Sequence, residues 1–401
     1  MIKDNEEKGF SGQNIRYQNH HFKCVDCTYR VNLGSHILNY MRIQLYLELF
    51  VAFICLRQIS KLKRFKNQTF VIGIFCMMIM VSSFFNKNKY DGANIEKSLV
   101  FALAIIEVYL YAQLLVVTQR IVLGVKMVWF CVLFYCGLND ILILINPSDF
   151  AASTKMGYLS STFNNFLLGN KFLVSYLHVF AIVFYIYLCE RRKRVSYIKI
   201  AILFAWSISI SLYVECTTAF IGQLILILMI LFKEKITEII RKTKSVLITL
   251  AVSDSVFLFN ATLLQIPFIQ NIITNILHED VGLTGRISAY AHAFLLISGS
   301  PIIGYGYDNN YSVSRLILNI DNVQNGLLDY VVSFGVVGTI LFLIILIMNI
   351  RRIPKCCNPA FLFLVYVFII LSSVEVTLTL KFHVALAFLS IEWLEYQYLR
   401  K

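Results

Sequence analysis

The chain has 401 residues, of which 58% are hydrophobic and 15% are charged. An average soluble domain is about 45–50% apolar and about 25% charged, so the composition excludes a typical water-soluble globular protein. The formal net charge of +13 does not indicate nucleic acid as a partner, because the basic residues are divided among separate loops instead of forming one stripe. Most cysteines lie within apolar segments, where they act as small hydrophobic side chains and not as a disulfide framework.

The apolar residues come in segments of about 17 to 25 residues, a length of helix that crosses a hydrocarbon core of about 30 Å. We therefore predict an all-α polytopic membrane protein with about ten or eleven transmembrane helices. Its predicted organisation is a polar N-terminal extension at 1–36, transmembrane helices 1–8 at 37–264, a large external loop at 265–325 and transmembrane helices 9–11 at 326–401. The predicted helices are 37–56, 69–85, 98–118, 121–145, 172–189, 198–214, 217–232, 245–264, 326–350, 360–379 and 382–397.

The distribution of Lys and Arg predicts the orientation of these helices, because basic loops stay in the cytoplasm. Every second loop is basic, and these loops are 57–68, 190–199, 233–244 and 351–355. The alternate loops are poor in positive charge, and the long segment 265–325 contains only Arg286 and Arg315. This pattern predicts a multi-pass protein of the cytoplasmic membrane, with the long segment on the external face.

Charged residues within or next to the apolar segments are functional candidates, because each costs about 2.5–3.5 kcal/mol at the bilayer centre. Asp140, Glu215, Glu375 and Lys381 lie toward the predicted outer face. The alternative is that they are interfacial groups, wetted by headgroups or paired with one another. The deeper residues, Glu48, Glu107 and Asp254, are expected to serve packing or hydrogen bonding between helices.

The external segment contains an ordered series of polar and glycine-rich elements. Gly285-Arg286 precedes an amphipathic stretch at 287–298, and a sequence with Pro301, Gly304 and Gly306 follows. The proline and glycines predict a tight turn after a helix, and the Tyr, Asp and Asn residues at 305–310 suit sugars. An arginine beside a glycine at a membrane surface suits a phosphate, because the planar guanidinium donates two parallel charge-assisted hydrogen bonds. A structured loop that caps the bundle is the other interpretation of this segment.

The order of these elements resembles the shared module of bacterial O-antigen ligases and of O-antigen or capsule polymerases of the Wzy type. That module has a Gly-Arg pair, an amphipathic helix, Pro-x-x-Gly-x-Gly, a variable loop, a His-Asn-x-x-Leu-like element and a helix that opens with Gly-x-x-Gly. The corresponding elements here are Gly285-Arg286, 287–298, 301–306, 324–328 and 335–338. The sequence Gly169-Asn170-Lys171 is also similar to an element that precedes this module in many polymerases.

The resemblance implies a glycosyltransferase with a GT-C-like architecture that joins undecaprenyl-pyrophosphate-linked oligosaccharide repeat units into O-antigen, capsular or exopolysaccharide. It implies no metal and no cofactor. Because the leaving group is a diphosphate, the protein needs cations to hold it and an acceptor to orient the attacking hydroxyl. The expected catalytic residues are Arg286 on the pyrophosphate and Glu215 or Asp308 on the acceptor. The expected substrate-binding residues are Lys171, Arg315, Asn170, Tyr305, Gln324 and Asn325.

Two alternative functions remain open at this stage, an O-antigen ligase and a transporter or flippase of lipid-linked oligosaccharide. Many relatives, ligases in particular, carry a histidine where this chain has Gln324, and glutamine cannot act as a base, which weakens the ligase interpretation. The sequence contains no pseudo-symmetric halves of the kind found in many transporters. The expected partners are the lipid-linked oligosaccharide, membrane lipid, a repeat-unit flippase and a chain-length regulator.

Overall fold

The computed structural model describes most of the chain after residue 64. The described residues are 65–87, 89, 95–145, 166–168, 170–263, 267, 271, 286–318, 323–354 and 357–399. The predicted extension 1–36, the predicted helix 37–56, Gly169 and Gly285 lie outside them. Side chains are described throughout these residues except in parts of three helices, at 256–263, 286–292 and 318.

The described residues form helices and turns and no β-strand. In chain order the helices are α1 (Lys66–Phe85), α2 (Ile95–Val117), α3 (Ile121–Ile145), α4 (Lys171–Arg191), α5 (Tyr197–Tyr213), α6 (Thr217–Leu231), α7 (Lys233–Ile240), α8 (Thr243–Leu263), α9 (Arg286–Gly299), α10 (Asn309–Leu318), α11 (Gly326–Arg351), α12 (Ala360–Leu371) and α13 (Leu380–Leu399). Five of them, α1, α2, α3, α4 and α11, are long and apolar enough to cross a membrane. The prediction of an all-α protein is therefore confirmed for the described residues, and so is the presence of apolar helices long enough to span a membrane.

The structure corrects the sequence prediction in three places. The predicted helix 360–379 ends at Leu371 and is followed by turns, which bring the carbonyl of Ser372 to 2.8 Å from the backbone N of Gly326. The short helices α7 and α10 lie in segments predicted as loops. The predicted helix 326–350 corresponds to α11, but α11 is broken at Gly335, where the backbone has φ 65° and ψ −172°.

The described helices form a bundle that has two ends with different chemistry. We call one end the basic end, because residues of the predicted basic loops 190–199 and 233–244 lie there. The Nζ of Lys233 lies 2.6 Å from Glu190 Oε1, and Arg191 Nη1 lies 2.6 Å from Glu395 Oε2. The other end, which we call the polar end, contains the turn 301–308.

Short turns of one repeated design connect neighbouring helices. In the turns after α2, α4 and α5, a non-glycine residue has a positive φ of 52° to 55°, and these residues are Gln119, Lys193 and Glu215. The next residue donates its backbone N–H to a carbonyl five residues earlier, for example Cys216 N to Ser211 O at 2.8 Å. This is the Schellman arrangement, which satisfies the last carbonyls of a helix and allows the next helix to begin at once.

Candidate functional site

The break in α11 is filled by a turn, which we call the glycine turn and which comprises residues 301–308. Before the break, the carbonyls of Val332 and Ser333 accept hydrogen bonds from Tyr305 N and Gly306 N at 2.9 and 2.8 Å. After it, Val336 N donates to Pro301 O at 2.9 Å, and Val337 N donates to Ile302 O at 3.2 Å. Backbone groups within an apolar bundle must find partners inside the protein. The glycine turn therefore supplies the hydrogen bonds that the broken helix lacks.

Only glycine fits at the two backbone positions where the turn and the break touch. Gly304 and Gly335 have φ values of 67° and 65°, in a region that side-chain-bearing residues rarely adopt. A Cβ at Gly304 would lie 2.5 Å from Gly335 N, and a Cβ at Gly335 would lie 2.2 Å from Ile302 O. The Pro-x-x-Gly-x-Gly and Gly-x-x-Gly elements found in the sequence are thus two halves of one contact.

Polar side chains at the end of α1 hold the glycine turn from the other side. Ser82 Oγ donates to Ile303 O at 2.5 Å, and Asn86 Nδ2 donates to Gly304 O at 2.9 Å. Ser83 Oγ accepts from the backbone N of Tyr307 at 3.0 Å. All three side chains are buried. The turn is fixed by two helices, so the residues that follow it have a defined position at the polar end.

Helix α2 contacts the last residues of the glycine turn. The ring of Tyr307 stacks on Phe101, with centroids 4.2 Å apart and an interplanar angle of 14°. The carboxylate of Asp308 forms an ion pair with Lys97, and both side chains are about one-third exposed, at 30% and 38%. The predicted catalytic residue Asp308 is therefore held by a cation from the start of α2.

Three carboxylates lie around the tyrosines of this region, and we call Asp308, Asp329 and Glu375 the acidic cluster. Burial raises the pKa of Tyr311, and the negative charges of Asp329, Glu375 and Asp308 raise that pKa further. The pKa of Tyr307 is also raised by burial, and then by Asp308 and Asp329. Asn310 Nδ2 donates to Asp329 Oδ1. Residues of the glycine turn, α11 and the turn after α12 thus bring three carboxyl groups to one place.

Cations lie at the same end. Lys171 Nζ donates to the backbone O of Glu215 at 3.0 Å, so these two predicted site residues lie together, joined through the Glu215 carbonyl. Lys381 Nζ lies 4.4 Å from the ring centroid of Tyr176. Arg315 is exposed in the last turn of α10. Arg286 is the first residue of α9, and its side chain is outside the described set.

Several predicted substrate-binding residues have structural partners. Asn170 and Asn325 cap α4 and α11, because each side-chain oxygen accepts a backbone N–H at 2.9 Å. Asn325 Nδ2 also donates to Asp254 at 3.4 Å, in agreement with the expected hydrogen-bonding role of Asp254. Tyr305 is buried, and its hydroxyl donates to Leu296 O at 2.8 Å. It packs α9 against the glycine turn and presents no open ring face to a sugar. Gln324 is half-buried, with φ 46°.

Asp140 has partners from two other helices inside the bundle. It is 6% exposed, and its Oδ2 lies 3.0 Å from His178 Nε2 and 2.8 Å from Trp206 Nε1. His178 Nδ1 lies 2.8 Å from Val174 O, which can only accept, so Nδ1 carries the hydrogen. Asp140 thus joins α3, α4 and α5. The sequence interpretation in which headgroups wet this residue at the membrane surface is therefore wrong.

Lys97 and Asp329 were not predicted from the sequence as residues of the site. Lys97 is a cation in the first turn of an apolar helix on the predicted outer side, which is unusual there. Asp329 is an acid in the first turn of α11, next to its cap residue Asn325. Both positions could have been found as charges at the outer ends of predicted spans. Their partners, Asp308 and Asn310, are distant from them in the sequence, so the two contacts could not have been predicted.

Three comparisons with known proteins were made for this chain. No protein-family model matches it, and neither a curated protein nor a solved structure matches it.

Proposed function

We propose that this chain is a polysaccharide polymerase, a GT-C-like glycosyltransferase that joins lipid-pyrophosphate-linked oligosaccharide repeat units on the outer face of the cytoplasmic membrane. In this proposal ten or eleven helices span the bilayer, the basic end is cytoplasmic and the polar end is external. The product is O-antigen, capsular or exopolysaccharide. A flippase supplies the repeat units, and a chain-length regulator acts with the enzyme.

One observation carries the proposal. Two of the elements that suggested the family from the sequence, 301–306 and 335–338, meet in one packed unit in which the glycine turn fills the break at Gly335. A loop that only capped the bundle would not need glycine at two facing positions, or hydrogen bonds with three buried side chains at the end of α1. The unit adjoins both the acidic cluster and the cations of the polar end, which are the two kinds of group that the reaction needs.

The proposed reaction transfers the growing chain from its lipid carrier to a repeat unit on a second carrier. The acceptor hydroxyl oxygen forms a bond to the anomeric carbon, and the bond from that carbon to the pyrophosphate oxygen breaks. The pyrophosphate leaves with the electron pair, and the hydroxyl proton passes to a carboxylate. Arg286, with Lys171 and Arg315 as further cations, stabilises the pyrophosphate. A carboxylate orients the hydroxyl, and the candidates are Glu215 and the acidic cluster, in particular Asp308.

The test is the glycan made by a strain whose only copy of the gene carries Arg286→Ala. We expect no polymer at a normal level of protein in the membrane, because the developing charge on the pyrophosphate loses its bidentate donor. The matched control is Lys87→Ala, which removes an exposed cation from the turn that follows α1 and should leave the polymer unchanged. Long polymer from Arg286→Ala would refute the assignment of Arg286.

The glycan of a deletion strain distinguishes the alternative functions. Loss of a polymerase leaves glycan of a single repeat unit on the final acceptor. Loss of a ligase leaves polymer on the lipid carrier, and loss of a flippase leaves repeat units on the cytoplasmic side. Either of the last two outcomes would replace the polymerase proposal.

A further inference from the structure

The basic end contains a cavity of about 620 Å³ between the ends of α2, α4 and α13 and the start of α3. Its size is in the usual range of about 300–1,000 Å³ for pockets that bind small ligands. Four cations line it, and they are Arg120, Lys126, Arg191 and Arg192. We call this cavity the basic pocket. It lies at the opposite end of the bundle from the glycine turn, so the proposed reaction does not use it.

One of the four cations is already neutralised by the protein. Arg191 Nη2 lies 2.7 Å from Glu392 Oε1, and Arg191 Nη1 lies 2.6 Å from Glu395 Oε2. The other three are not paired with a carboxylate anywhere in the part of the chain that the structure describes. Arg191 meets two carboxylates, and Glu395 also lines the pocket, so this group offsets one of the other three cations. The described lining still keeps an excess of positive charge.

Lys126 is the most informative of these cations. It lies beyond the first turn of α3, among apolar residues, and it is half-buried. Its ammonium group lies 5.4 Å from the ring centroid of Phe130. A lysine in such a position is costly unless its charge reaches water or an anion. The first turn of α3 also lines the pocket with Ile121, Val122 and Leu123, and the backbone N–H groups at a helix start have no partners within their own helix.

An apolar stripe begins at the pocket and follows the outer face of α3. Leu123, which lines the pocket, is followed at helical spacing by Met127, Phe130 and Phe134, and these side chains are 52% to 65% exposed. In a membrane this stripe faces lipid chains. The basic pocket and the stripe together match a molecule that has an anionic head and a long apolar tail.

We propose that the basic pocket binds a lipid phosphate, with the phosphate between Arg120, Lys126 and Arg192 and an apolar chain along the stripe of α3. The ligand class is a lipid whose phosphate carries net negative charge. Basic pockets between membrane helices have this chemistry. Two sources provide it, an anionic glycerophospholipid of the bilayer and a polyprenyl phosphate carrier.

The experiment measures lipid binding to the purified full chain in detergent by titration and by native mass spectrometry. The probes are phosphatidylglycerol, phosphatidylcholine, a polyprenyl phosphate and inorganic phosphate. We expect phosphatidylglycerol or polyprenyl phosphate to bind at least about tenfold more tightly than phosphatidylcholine, whose headgroup has no net charge. Inorganic phosphate should compete only weakly, because it has no chain for the stripe. The tighter of the two anionic probes identifies the source.

A matched pair of variants separates the pocket from general attraction between charges. The pocket variant carries Arg120→Gln, Lys126→Gln and Arg192→Gln. The control carries Lys193→Gln, Lys235→Gln and Lys242→Gln, which remove the same charge from exposed positions near the basic end that do not line the pocket. We expect about a tenfold or greater loss of affinity for the anionic lipid in the pocket variant, and a change of less than about threefold in the control.

Equal losses in the two variants would overturn the proposal, and so would unchanged affinity in the pocket variant. If the pocket variant does not fold, Lys126→Met replaces it. That change removes a charge from an apolar helix and should preserve folding while it lowers affinity for the anionic probe about threefold or more. Full affinity in a folded Lys126→Met protein would equally refute the site.

Discussion

The turn from α2 to α3 and the turn from α5 to α6 have the same backbone but lie at opposite ends of the bundle. Gln119 and Glu215 have φ values of 55° and 53°, and each turn closes with the same pair of hydrogen bonds. Their surroundings differ. The turn of Gln119 opens into the basic pocket, whereas the carbonyl of Glu215 accepts a hydrogen bond from Lys171. Identical local geometry is therefore used for two purposes, and only the neighbouring helices distinguish them.

The same contrast applies to the two ends as a whole. At the polar end, backbone groups, glycines and buried side chains fix the glycine turn, and Asp308 is paired with Lys97. At the basic end, one ion network around Arg191 is fixed, while three cations line an open cavity. The polar end thus holds its groups in fixed positions, as the proposed catalysis would require. The basic end is built to leave charge accessible.

The largest expected effect comes from filling the contact at the polar end. Gly304→Ala should lower the free energy of unfolding by about 3 kcal/mol, because the added Cβ would press on the backbone of Ser333, Phe334 and Gly335. We also expect this variant to make no polymer. The backbone would also be forced from its left-handed conformation. Thermal unfolding in detergent and the glycan ladder measure the two effects.

The control for this variant is Gly73→Ala, the same substitution in the middle of α1. A Cβ at Gly73 has no heavy atom within 4 Å, and alanine is favoured over glycine in helices by about 1 kcal/mol. We expect unchanged or higher stability and normal polymer. Normal stability in Gly304→Ala would show that the glycine turn moves freely, and the contrast between the two ends would then be wrong.

An intermediate effect is expected at the basic end. Arg191→Met removes the partner of Glu392, whose side chain is only 7% exposed and whose Oε2 accepts from Asn358 N at 2.9 Å. Leaving this carboxylate unpaired should cost about 2 kcal/mol of stability, since the pair is partly exposed. Thermal unfolding checks this, with Arg194→Met, an exposed neighbour, as the control. Equal effects would mean that Arg191 contributes no more to stability than an exposed arginine of the same loop.

Most of the fold could be predicted from the sequence, because the length of each apolar segment and the alternation of basic loops can be found without knowing which residues touch. The helix at 121–145 was predicted with the bounds that α3 has, and the amphipathic stretch 287–298 forms α9. The break in α11 could not be predicted, since an apolar sequence with Gly335 and Gly338 also fits a continuous helix. The partners that make the break stable arrive from the glycine turn.

The candidate site was less accessible to sequence reasoning. The elements around 301–306 and Gly335 were identified from the sequence, but the contact between them was not predicted. Lys97 and Asp308 are 211 positions apart, and no periodicity relates residues at such a separation. Tyr305 shows a second limit of sequence reasoning. Its neighbours in the sequence suggested that it binds sugar, whereas its hydroxyl bonds to Leu296 O and the side chain is buried in a packing contact. Residue type indicates which chemistry is possible, and only the packing of helices decides which side chains remain open to a ligand.

The smallest effect compares two of the Schellman turns directly. Glu215→Gly and Lys193→Gly each remove a side chain from a residue with positive φ, at 53° and 52°. Each should raise the free energy of unfolding by about 1 kcal/mol, because glycine adopts this conformation without the steric penalty. The two variants relieve the same strain at opposite ends of the bundle, so any difference between them comes from the lost side chain.

Polymer synthesis provides that difference. Under the proposed function, Lys193→Gly should make normal polymer. Glu215→Gly should lose about a hundredfold in rate, because its exposed carboxylate near Lys171 would orient the acceptor hydroxyl. The assay is incorporation of lipid-linked repeat units by purified protein at matched concentrations. Normal synthesis by a stabilised Glu215→Gly protein would remove Glu215 from the reaction and assign the acceptor to the acidic cluster alone. The positive φ of Glu215 is no evidence for catalysis, because Lys193 has the same conformation at the other end.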